Sequence, residues 1–103
     1  MTPITYTYEI SIKRAKSRYL KKVPYKIMCG VFMESSLYPG ESYNQRYYSN
    51  YTGHIFKVIV STKQGDIESN EIFIPFESKD VSFEIITEYD KQQGYSLKLV
   101  QTR

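Results

Sequence analysis

The chain has no tryptophan and, in 103 residues, one cysteine, one histidine and one alanine. Each scarcity removes a class of protein. With Cys29 alone no internal disulfide forms, so a cysteine-stapled scaffold is excluded, and no cysteine or histidine spacing furnishes a structural zinc site. With His54 alone, the commonest general acid-base group is available once. A single alanine, Ala15, and sparse leucine leave long helices without their best formers. No apolar run approaches the roughly 18 residues that span a bilayer, and Met1 to Tyr8 has neither a basic nor an apolar leader region. The expectation is a protein with no signal peptide, no transmembrane segment and no membrane partner, intracellular or incorporated in a viral particle. Calcium-loop, Walker and dinucleotide glycine motifs are also missing, so no metal, cofactor or small-molecule substrate is expected.

What is present is β composition: isoleucine, valine, threonine, eleven tyrosines and five phenylalanines, residues that fit a pleated surface. Ile4, Tyr6, Tyr8, Ile10 and Ile12 alternate with polar residues up to Lys13, the period of a strand with one buried and one wet face. Arg14 to Lys22 reads as a basic connection with one helical turn. Val23 to Met33 is apolar on both faces towards its end and reads as one central strand. His54 to Thr62 places Phe56, Val58 and Val60 on one side. Lys63 to Asp66 is turn chemistry, and Glu71 to Phe76 carries Pro75, which lacks an N–H and so belongs at a sheet edge. Val81 to Ile85 and Tyr95 to Leu99 alternate on either side of a hairpin loop, Asp90 to Gly94.

These signals predict one domain over residues 1–103: an all-β, small antiparallel β-sandwich of about six to seven strands, immunoglobulin-like or jelly-roll-like, with one long tyrosine-rich loop. The run from Val58 to Ile72 is similar to a hairpin of immunoglobulin-like modules, but the core tryptophan and paired cysteines of antibody-type domains are absent.

The loop is Glu34 to Gly53, which holds Tyr38, Tyr43, Tyr47, Tyr48 and Tyr51 with no regular apolar period. A connection this long is either functional or disordered, and disordered segments are poor in aromatics. An ordered binding loop is therefore expected. Tyrosine and arginine bring large, rigid contact area with a polar tip to protein interfaces, which makes Tyr38, Tyr43, Arg46, Tyr47, Tyr48 and Tyr51 candidate contact residues. Arg18, Tyr19, Lys21 and Lys22 of the basic segment join them.

Charge points the same way. Met1 to Lys63 holds ten Lys or Arg against three acids and Gln64 to Arg103 holds four against eight, giving +7 and −4, which sum to the net +3. Such asymmetry favours head-to-tail contact between copies or docking on a partner of opposite polarity. The function expected is thus a non-catalytic protein-binding module, a small auxiliary or decoration subunit of a larger assembly such as a viral particle.

Two alternatives use the same residues. A small inhibitor or immunity protein is one. The other is single-stranded nucleic-acid binding, for which Lys13, Arg14, Lys16, Arg18, Lys21, Lys22 and Lys26 would neutralise phosphates while Tyr19 and Tyr25 stack bases. Carbohydrate binding also uses aromatic platforms, though without tryptophan it ranks lower. An enzyme has little to work with. A Cys29–His54 dyad is arithmetically available, but the apolar neighbours of Cys29 predict an inert thiol, and Glu84 and Glu88, four apart on one strand face, read as solvated surface charge.

Overall fold

β1, Thr7–Arg14, sets the frame of the computed structural model, which describes residues 7–48, 53–75 and 79–103. Its alternation behaves as read: Tyr8, Ile10 and Ile12 are buried while Thr7 and Lys13 are exposed. Ile4 and Tyr6 lie outside the described residues. Eight further strands follow: β2 Tyr25–Cys29, β3 Phe32–Leu37, β4 Ser42–Tyr48, β5 Gly53–Thr62, β6 Gly65–Glu68, β7 Ile72–Pro75, β8 Val81–Asp90 and β9 Gly94–Gln101. No helix occurs among the described residues, and so none long and apolar enough to cross a membrane.

The strands form two packed sheets, a β-sandwich with nine strands among the described residues rather than the six or seven expected. One sheet has the order β4-β1-β8-β9; the other runs β3-β2-β5, with β6 and β7 paired successively along the far side of β5. The inner faces meet over Tyr8, Ile10 and Ile12 of β1, Tyr25 and Ile27 of β2, Phe56, Val58 and Val60 of β5, Phe83 and Ile85 of β8, and Leu97 and Leu99 of β9. Pairing is antiparallel with one exception, β1 beside β8, where Ile10 faces Val81 and Arg14 faces Ile85 in parallel register. A parallel pair needs a long crossover, and the strands between β1 and β8 supply it.

Three expectations fail in the first half of the chain. Val23 to Met33 is not one central strand: Gly30 takes φ 61°, a turn follows, and the chain returns as β3. The β2–β3 register then slips between Ile27 and Met28, leaving Glu34 unpaired as a bulge, so that Leu37 and Ser35 face the core while Met33 faces outward with Met28. Glu34 to Gly53 is not one loop either. Tyr38-Pro39-Gly40-Glu41 makes a tight turn, with Glu41 N–H donating to the Tyr38 carbonyl at 3.0 Å and Gly40 at φ 85°, the arrangement of a type II turn. That turn carries the chain from β3 in one sheet to β4 in the other. Finally, the segment after Arg14 contains bends and a turn rather than a helical turn, with Leu20 at φ 53°.

Elsewhere the expectations hold. β5 spans the predicted strand, Pro75 ends β7 at the sheet edge, and β8 and β9 form a hairpin, both longer than read; Phe76 lies outside the described residues. The short link between β6 and β7 ties the layers together. Ser69 Oγ accepts from Val58 N–H at 2.8 Å, and the Asn70 side chain both accepts from Leu99 N–H at 2.8 Å and donates to the Leu99 carbonyl at 3.2 Å. One side chain thus stitches one sheet to the other.

Candidate functional site

Of the three loop tyrosines whose side chains are described, Tyr43 and Tyr47 are structural. β4 pairs with β1 so that Tyr43 faces Ile12 and Tyr47 faces Tyr8, which points both rings inward. Tyr43 is 8 % exposed, its hydroxyl bonds that of Tyr47 at 2.8 Å, and the Tyr47 ring lies 4.1 Å from His54 and 6.1 Å from Tyr8. Burial, foremost, pushes both phenols above their ordinary values, and the shared hydrogen bond raises Tyr47 further. Arg46, on the opposite face, is exposed and pairs with Glu9 at 3.6 Å. Tyr38 is exposed at the turn, where its N–H donates to the Glu41 carboxylate. The side chain of Tyr48, and Tyr51 entirely, lie outside the described residues.

The basic segment is divided in the same way. Arg14 continues the inward phase of Tyr8, Ile10 and Ile12 and is 2 % exposed. Its guanidinium donates to the carbonyls of Leu20, Val23 and Leu37 at 2.7 to 2.8 Å and lies 3.4 Å from the centre of the Tyr25 ring. It is a core residue that folds the following segment onto the sandwich. Arg18 lies over Tyr19, and Tyr19 packs against Tyr89 and Tyr95 at 5.9 and 5.7 Å. Lys21 and Lys22 are exposed on the turn. The structure therefore does not bring the eight predicted contact residues whose side chains are described into one surface.

Cys29 and His54 do meet. β2 pairs with β5, and the thiol sits 3.8 Å from Nδ1 of His54, beneath the Tyr47 ring. Burial is the main cause that raises the Cys29 thiol, reinforced by Glu34 and opposed by a backbone hydrogen bond at Ile55; burial likewise lowers the His54 imidazole, with Glu34 opposing. Both groups are therefore held neutral, the form in which cysteine is the weaker nucleophile. Of the paired carboxylates, Glu88 is held by Lys98 at 3.5 Å. Among the described residues no group of histidine, cysteine or carboxylate side chains is placed to hold a metal.

The surface that stands out is one that the sequence reading missed. Ile55 and Phe73 are direct neighbours across β5 and β7 and point to the outer face. Gly30 N–H donates to the Ile55 carbonyl at 3.0 Å, which brings the β2–β3 turn alongside. That turn presents Val31 at 86 % exposure; Phe32, opposite Cys29 on the inward-facing side of β3, is 72 % exposed beyond the end of the core, Met33 follows on the outer face, and Phe73 is 63 % exposed. Exposed large apolar residues are ordinary when scattered; gathered at one end of a sheet they mark an interaction site. β3 is also an edge strand, with one row of backbone groups unpaired to any described strand, the element to which another strand adds.

β4 and β1 in one sheet, and β3, β2 and β5 in the other, lie on one side; β8 and β9, and β6 and β7, lie on the other, with β3 against β4 and β6 against β9. Strands β1 to β5 come from the basic half of the chain and β6 to β9 from the acidic half, while the basic Arg18–Tyr19 segment packs on β8 and β9 through Tyr89 and Tyr95. The sequence matches no protein-family model, and no curated protein or solved structure is significantly similar to it.

Proposed function

We propose that the protein is a non-catalytic protein-binding module, a small auxiliary subunit of a larger assembly such as a decoration subunit of a viral particle, and that its partner seats on Val31, Phe32, Met33, Ile55 and Phe73. The observation that carries this reading is the gathering of exposed Val31, Met33, Ile55 and Phe73, with Phe32 exposed on the other side of β3, at one end of the sheet beside the open β3 edge. Fully burying a side chain such as phenylalanine is worth about 1.5–3 kcal/mol, so covering Phe32 and Phe73 supplies the core of an interface. The β3 edge adds directional backbone hydrogen bonds. The opposite net charges of the two halves of the sequence would orient the encounter.

An inhibitor or immunity protein would use the same surface against one enzyme. Single-stranded nucleic acid is less well supported, because Arg14 is spent on core carbonyls and the Tyr19 ring is covered by Arg18, Tyr89 and Tyr95.

The reading is tested by a Phe32→Ser, Phe73→Ser double variant, comparing self-association by light scattering and retention of a co-purifying partner with the wild type. Loss of association with an unchanged fold supports it. Undiminished association in the variant refutes it.

A further inference from the structure

At the end of β5 away from the apolar surface, the β5–β6 turn and the β8–β9 turn enclose a cleft of about 650 Å³. That lies within the range of about 300–1,000 Å³ typical of small-molecule sites. Tyr89 and Tyr95 form its aromatic part. They are cross-strand neighbours with ring centres 4.9 Å apart, Tyr89 is half exposed, and Tyr19, itself capped by Arg18, packs against both.

The polar walls are fixed by their own turns. Asp90 Oδ1 accepts from the N–H groups of Gln92 and Gln93 at 2.7 and 3.1 Å, and Thr62 Oγ1 accepts from Gln64 N–H while donating to the Gly65 carbonyl. Those bonds occupy the backbone of the three glutamines. The three glutamines are exposed residues of the lining, and their side-chain amides make no hydrogen bond among the described residues. Asp66 and Lys91 also line it and balance each other, so the lining carries no net charge.

We infer that this cleft is a binding site for a neutral saccharide, independent of the protein-binding surface. A sugar ring presents a face of C–H groups and a rim of hydroxyls. Tyr89 and Tyr95 receive the face by dispersion and the attraction of polarised C–H groups to the π cloud. The amides of Gln64, Gln92 and Gln93 each offer a donor and an acceptor to a hydroxyl that needs both. The absence of net charge disfavours a phosphate polymer, and Ile67 is the one aliphatic side chain in the lining, too little for the apolar anchors of a peptide. Turns already held by side-chain hydrogen bonds reduce the ordering that binding would otherwise require.

The test is a titration of the full chain, followed by amide NMR and tyrosine fluorescence, with three neutral hexasaccharides built from β-linked glucose, α-linked glucose and β-linked N-acetylglucosamine. A deoxythymidine decamer and an uncharged hexapeptide are run beside them. The expected result is that at least one saccharide binds with a Kd of about 1 mM or tighter and shifts the side-chain amide signals of Gln64, Gln92 and Gln93. Tyr89→Ala and the surface variant Gln92→Ala should each weaken it by about tenfold, with Lys98→Ala unchanged. The inference is overturned if no saccharide of the three binds, if binding survives both cleft variants, or if only the decamer or the peptide shifts those amides.

Discussion

The hydroxyls of Tyr43 and Tyr47 meet at 2.8 Å between the two sheets, with the Tyr47 ring stacked on Tyr8 and tilted against His54. Tyrosines four residues apart on one strand face thereby close the open corner of the sandwich instead of reaching for a partner. Tyr43→Ala is expected to destabilise the fold by about 3–5 kcal/mol, the range for deleting a buried aromatic ring. Tyr43→Phe, which removes only the shared hydrogen bond, should cost about 1 kcal/mol. Urea denaturation of the two variants measures both. A Tyr43→Ala midpoint close to wild type would mean that the ring is not core.

Arg14 makes a second stability prediction. Arg14→Met keeps the shape but leaves the carbonyls of Leu20, Val23 and Leu37 without their donor, so a loss of about 2–3 kcal/mol is expected. Arg14→Lys restores the charge without the planar fork and should recover only part of it. Thermal unfolding distinguishes the three proteins.

The pH dependence follows from the cluster around His54. Burial lowers its imidazole below the ordinary 6.5, so the unfolded chain takes up a proton that the folded chain refuses. Stability from this group is complete above that value and declines as pH falls below it, until the folded imidazole also titrates. The thiol of Cys29 and the phenols of Tyr43 and Tyr47 are raised above their ordinary 9.0 and 10.0, which reverses the sign. Their contribution is complete below those values and declines as pH rises beyond them. A stability plateau between about pH 7 and 9 is expected, and His54→Phe should flatten the decline on the acid side.

Some of this was legible in the residues. Arg14 lies in phase with Tyr8, Ile10 and Ile12, and that phase, rather than the run of cations around it, decided its burial. Pro39-Gly40 is a turn signal inside what otherwise reads as an unbroken loop, and Tyr43 and Tyr47 share one strand face beyond it. β4 stayed hidden because Asn44 and Arg46 on its wet outer face, and Gln45 opposite Ile10 on the inner one, interrupt the apolar pattern. The exposed surface was not legible. Val31 and Met33 continue the inward period of Ile27 and Cys29, and only the turn at Gly30 and the bulge at Glu34 send them outward. The approach of Cys29 to His54 likewise depends on β2 pairing with β5 across 25 residues, which no local pattern encodes.

The apolar surface should be dispensable for folding. Phe32→Ser and Phe73→Ser remove side chains that are mostly in water, so each should alter stability by no more than about 0.5 kcal/mol while raising solubility. A loss of several kcal/mol in either, measured by urea denaturation, would assign the ring to the core.

The central claim is that a partner covers this end of the β3-β2-β5-β7 sheet. The direct measurement is site-specific photo-crosslinking in cells that make the protein, with the crosslinker at the position of Phe32, then of Phe73, and at that of Lys98 on the other sheet as control. The account predicts one discrete crosslinked species, a second copy or one partner protein, from the Phe32 and Phe73 positions and none from Lys98. No crosslink at either phenylalanine, or the same species with equal yield from all three positions, would contradict it.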